Sequence, residues 1–116
     1  MISIYDLTDG VLDTIGLPFY YGMPVFSEDN PEPPDYLVYD DYETPVYLGD
    51  GTYPRKKYTI TVNKFSETVD ADMDRKIESA FMRSGYIYLG GGKVGDKDSF
   101  PYKHQNYKEF SIIMEV

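Results

Sequence analysis

The chain contains no cysteine and no tryptophan, and a single histidine among its 116 residues. Without cysteine there are no disulfides, thiolate zinc sites or thiol nucleophiles, a composition suited to a reducing compartment. A catalytic triad, an imidazole-ligated metal cluster or a proton shuttle would have to run through His104 alone. No serine elbow pattern accompanies that histidine, which ends a stretch rich in Gly, Asp and Lys and reads as an exposed loop residue. Long apolar runs are missing too. Nothing approaches the ~20 residues that span a bilayer, and the segment Met1 to Asp6 has neither the basic start nor the apolar run of a signal peptide. The expected location is the cytoplasm.

Cations are scarce. Eleven Lys+Arg face twenty Asp+Glu, a formal charge of −9, so the molecule as a whole repels phosphate backbones and anionic membranes. The first consequence of that charge is solubility. Tyrosine, in contrast, is abundant: thirteen Tyr and six Phe bring the aromatic content to 16%. That is more than one core of this size requires. Tyrosine favours strands and also supplies contact area with a polar tip, so some of these rings are expected to face a partner. The length and the 41% hydrophobic content indicate one domain over residues 1–116, with a radius of gyration of roughly 13 Å.

Ile4, Leu7, Val11 and Ile15 recur at helical spacing, with Ser3 as a cap and Gly16 as the stop. Pro18 and Phe19 to Gly22 indicate a brief strand, and Asp29 to Asp35 a proline-bearing loop. A strand begins at Tyr36 and continues towards Tyr47, where Pro45 argues for an edge or a bulge. The Asp50-Gly51 pair predicts a hairpin turn into a strand from Arg55 to Phe65, in which Tyr58, Ile60 and Val62 share a buried face and the other face is wet. Val69, Met73, Ile77, Ala80 and Phe81 predict the clearest helix, with acids early and Gly85 past its end. A strand over Tyr86 to Leu89, a flexible loop carrying Gly90 to Gly92, and a final strand from Tyr107 to Val116 complete the chain. The fold class read from this order is α+β: an antiparallel-dominated sheet of four to five strands with two helices packed on one face.

Three motifs invite chemistry and fall short of it. The run Gly90 to Gly95 lacks the spacing of a phosphate-binding loop and is followed by no helix start. Asp70, Asp72 and Asp74 resemble the start of a calcium loop, but no glycine stands sixth, and Phe81 stands twelfth where a glutamate is needed. Asp40, Asp41 and Glu43 have no further ligands to fix a cation. No catalytic residue, metal site or cofactor is expected.

Taken together, the helix ending at Ile15-Gly16, the following Leu17 to Gly22, the loop Pro31 to Pro34 leading to Tyr36-Leu37-Val38-Tyr39, the strand Lys57 to Phe65 before an acid-started helix (Asp70 to Met82), and the closing Phe110 to Val116 give a consistent pattern. It resembles the tail terminator, or tail completion, proteins of long-tailed bacteriophages, the group of the lambda-type minor tail protein U. The chain departs from that family in its longer connection from Gly90 to His104. The resemblance implies a non-enzymatic virion subunit, made in the host cytoplasm, that forms a hexameric ring. The ring would cap the tail tube, end tail growth and join tail to head. The partners it implies are further copies of the chain, the tail tube protein and a head-completion or connector protein, with DNA passing through unbound and no membrane involved. Acids such as Asp40, Asp41 and Glu43 on the inner wall would keep DNA from sticking. The candidate assembly loops are Pro31, Pro33 and Pro34; Asp50, Gly51, Tyr53 and Arg55; and Gly91, Lys93, Phe100 and Tyr102. Three other readings stay open: a head-side connector subunit, an acidic inhibitor that imitates nucleic-acid charge, and a hydrolase dependent on His104.

Overall fold

A computed structural model describes residues 3–46, 55–95, 98 and 103–115. Two helices and five strands follow in the order α1 (Ile4–Asp13), β1 (Phe19–Tyr21), β2 (Tyr36–Val46), β3 (Arg55–Ser66), α2 (Ala71–Arg83), β4 (Ile87–Gly95) and β5 (His104–Glu115). The strands form one sheet in the order β1-β2-β3-β5-β4. Three pairings are antiparallel, whereas β1 lies parallel to β2, so the sheet is mixed. The fold is α+β. The strand-like run at Phe19 gave no signal of its direction. The parallel pairing follows from the long connection 22–35, which carries the chain back to the start of β2 instead of turning it in a hairpin.

Helix α1 starts where Ser3 accepts a hydrogen bond from the Asp6 amide at 3.1 Å. It stops two residues short of its apolar stripe: Ile15 packs into the core from beyond the end, next to Gly16 at a φ of 92°. Helix α2 is capped by Asp70, whose carboxylate accepts from the Met73 amide at 3.0 Å. Val69 thus lies before the helix and is exposed, not part of its buried stripe. The acids read as a would-be calcium loop have separate structural roles, because Asp70 caps the helix and Asp74 pairs with the buried Lys64 at 2.6 Å.

The main core joins Ile4, Val11, Leu12 and Ile15 of the α1 region and Ile77 and Phe81 of α2 to Leu37, Tyr39, Ile60, Val62 and Phe110 of the sheet. The pairings Tyr39↔Val62 and Ile60↔Phe110 place these sheet residues on one face. The opposite face is not wet throughout, as the alternation in β3 predicts. At one end Tyr36, Val38 and Phe65 form a second cluster with Tyr20 and Phe26, because the connection 22–35 folds Phe26 onto that face. Strands of 11 and 12 residues also make the molecule longer than expected, 52 × 29 × 25 Å with a radius of gyration of 15.7 Å.

Of the thirteen tyrosines, Tyr36, Tyr39 and Tyr86 are core residues. Burial, reinforced by Glu32, pushes the Tyr36 hydroxyl above its ordinary range; burial and the hydrogen bond to Asp9 do the same for Tyr39. Burial also raises Tyr86, opposed by its 2.8 Å contact with the Thr8 hydroxyl. The unfolded chain ionises tyrosine near pH ~10, so the stability these neutral hydroxyls confer is complete below that pH. It declines as pH climbs towards the raised values. An ultraviolet titration should show these three ionising late, together with loss of circular dichroism; thirteen tyrosines ionising as one class would refute this.

Candidate functional site

Among the described residues the sheet has two edges without a further strand, and their chemistry differs. At one side β1 covers only Leu37 to Tyr39 of β2. The Leu37 amide donates to the Pro18 carbonyl and the Tyr39 carbonyl accepts from Gly22, both at 2.9 Å. Odd-numbered residues of β2 therefore turn their backbone groups outward. The register with β3 runs unbroken to Val46, so Asp41, Glu43 and Pro45 face outward beyond the end of β1. Pro45 has no amide proton to leave unpaired there, which is why a strand edge tolerates it. Asp40, Tyr42, Glu43 and Thr44 are exposed along this stretch. Asp41 accepts the Tyr21 hydroxyl at 2.7 Å, and Glu43 pairs with Lys56 at 3.2 Å.

At the other side β4 pairs, among the described residues, with β5 alone. Gly90, Gly91, Gly92 and Lys93, read from sequence as part of a flexible loop, lie within this strand. Bulges between Tyr88 and Gly90 and between Lys93 and Gly95 broke the alternation that would have revealed it. Ile87, Leu89 and Val94 are exposed along the edge. No acid occurs between Ile87 and Gly95. A shallow hollow of about 300 Å³ lies over the glycines, bordered by Tyr88, Lys93, Asn106, Tyr107, Lys108 and Asp74 of α2. Lys108 is held by Glu78 at 3.5 Å and lies 5.4 Å from the Tyr88 ring centre.

Among the loop candidates, Pro31, Pro33 and Pro34 sit at one end of the sheet, fastened by a residue the sequence did not single out. Lys103, almost buried, donates to the carbonyls of Pro33 at 3.1 Å and Pro34 at 2.5 Å. It also pairs with Glu32 at 3.5 Å and lies 5.8 Å from the Tyr36 ring centre. Only the position of Lys103 just before an apolar strand hinted at this, and surface lysines share such positions. Arg55 stands at the far end of β3, eleven steps from its end at Ser66, about 36 Å away at strand rise. The structure therefore does not bring Arg55 together with the proline loop. Asp50, Gly51, Tyr53, Phe100 and Tyr102 lie outside the described residues. Lys103→Ala should free the proline loop, speeding amide exchange over residues 31–36 and costing about 1–3 kcal/mol in urea unfolding. Unchanged exchange there would show that the clamp is idle.

His104 is the first residue of β5 and is half-buried, not an exposed loop residue, because pairing with β3 extends to Ser66↔His104. Ser66 directs its hydroxyl to the Thr68 carbonyl at 2.8 Å, so that proton is not offered to the imidazole. The Nδ1 of His104 meets no hydrogen-bond partner among the described residues. A second hollow, about 380 Å³, lies where both helices end and is lined by Thr14, Lys76, Ala80, Arg83 and Ser84. Its cations are turned to carbonyls: Lys76 donates to Ile15 at 2.9 Å and Arg83 to Ser79 at 3.3 Å. They complement the negative ends of the helices. Among the described residues no group of three or more His, Asp or Glu is placed to hold a metal, and no helix is long and apolar enough to cross a membrane. No protein-family model and no curated protein matches this chain.

Proposed function

We propose that the chain is a structural subunit at the neck of a long-tailed bacteriophage. In this reading it is a tail terminator that forms a ring, hexameric by the family resemblance, capping the tail tube, ending tail growth and joining tail to head. The observation that supports this best is the pair of free edges on opposite sides of one sheet. A subunit with two different edges can meet a neighbour on each side, and such head-to-tail contacts form a ring where the rotation between neighbours closes. The chain acts by contact and not by catalysis, with the tail tube protein and a head-completion or connector protein as its other partners. DNA passes through without specific binding. A head-side connector ring is the nearest relative of this reading. The acidic β2 edge, with the charge of −9, favours a second one, an inhibitor that imitates nucleic acid.

Native mass over a concentration series, with and without tail tube protein, tests the proposal. Six copies of 13.4 kDa make a ring of about 80 kDa; that mass, or capture at the tube's end, is the expected result. A monomer that ignores the tube at every concentration overturns it, and salt-sensitive binding to a basic enzyme would then establish the inhibitor reading.

A further inference from the structure

We infer that the subunits join by continuing the sheet: Gly90–Lys93 of β4 in one copy pairs antiparallel with Asp41–Thr44 of β2 in the next. This deepens the ring reading and rests on it. Strand direction is the first support. Each of the steps β2 to β3, β3 to β5 and β5 to β4 is antiparallel, so β4 runs opposite to β2. A copy added in the same orientation then presents its β2 antiparallel to β4, with matching faces on the same side of the sheet.

The side chains agree with that pairing. On the core-facing side, Asp41 of the incoming strand stands opposite Lys93, an exposed lysine on an edge without acids. In the same register Glu43 falls opposite Gly91, beside Lys108. On the other side Tyr42, 58% exposed, falls opposite Gly92, which the Tyr107 ring flanks. Glycines at 90 to 92 leave the room that a threonine, a glutamate and a tyrosine fill, and the opposite-charge pair of Asp41 with Lys93 is a favourable cross-strand pair. β1 of the incoming copy already covers Leu37 to Tyr39, which sets one limit of the paired stretch. Pairing like with like would be worse. Two β4 edges bring lysines together, and two β2 edges bring together Asp40, Asp41 and Glu43. These acids then lie in the seams between subunits and not on the inner wall.

The absence of native cysteine permits a direct test. Lys93→Cys and Asp41→Cys chains are prepared separately and oxidised alone and mixed. The expected result is a cross-linked pair in the mixture and none in either chain alone. In parallel, Asp41→Lys and Lys93→Glu should each raise several-fold the concentration at which rings form, and the double variant should restore it; thermal midpoints verify that each variant is folded. A wild-type ring whose mixed cysteine chains fail to cross-link, or a Lys93→Cys chain that links to itself, overturns the edge pairing and leaves the ring reading standing. A wild-type chain that stays monomeric overturns both.

Discussion

Phe81→Ala is expected to lower the unfolding free energy by about 3–5 kcal/mol, the range for removing a buried aromatic ring that leaves a cavity. Phe81 is fully buried. Its ring stacks on Phe110 with centroids 4.3 Å apart and an interplanar angle of 10°, and it meets Tyr86 edge-on at 5.0 Å. These rings hold α2, the centre of β5 and the turn into β4 together, so no single element can shift to fill the space. Domains are stable by roughly 5–15 kcal/mol, and the variant therefore loses about a fifth or more of the total. Urea unfolding measures it as a lower midpoint with an unchanged slope. A loss below about 1 kcal/mol would mean that the three rings do not form the keystone described above.

Gly91→Ala should unpair the β4 edge. A Cβ at this position would lie 2.2 Å from the Tyr107 carbonyl oxygen and 3.2 Å from the Lys108 Cα. Both are backbone atoms of the paired strand, so no side-chain rotation relieves the clash and β4 must lift away from β5. The expected cost is about 1–3 kcal/mol, as for other overpacked sites, with faster amide exchange over residues 90–95 and 105–109. Gly92→Ala is the control. Its Cβ would meet only the Tyr107 ring, at 3.4 Å, and the ring can move. Equal effects of the two substitutions would refute the assignment of Gly91 as the point of closest strand approach.

Elements with regular periodicity and caps were legible in the sequence. Ser3 and the stripe through Val11 locate α1, Ile77 and Phe81 locate the buried side of α2, and the alternation from Tyr58 to Val62 orients β3. The misses have physical causes. Three glycines in a row suggest a flexible loop because they carry no side chain to alternate, yet the β5 backbone needs their small size. His104 looked exposed because its neighbours are polar, but the hydrogen-bonded ladder to β3 does not depend on side-chain polarity. The Lys103 clamp joins residues about seventy positions apart, and no local pattern encodes such a contact. The edges proposed to join subunits were only half visible: Lys93 and Gly91 were singled out, whereas Asp40, Asp41 and Glu43 were read for their charge and not for the backbone groups this stretch of β2 turns outward.

The position of β5 has a consequence for biosynthesis. Although made last among the strands, it lies between β3 and β4. Until residues 104–115 have emerged from the ribosome, β4 has no partner in the sheet and β3 has an open side that a foreign strand can occupy. α1 for its part gains its Thr8–Tyr86 contact only once Tyr86, 78 residues onward, has been made. The nascent chain therefore completes its sheet in one late step, and that step creates the outer edge of β4. A chain cut short before β5 lacks a properly formed β4 edge with which to enter an assembly. In the proposed ring, the strand order would thus admit finished subunits and leave truncated ones behind.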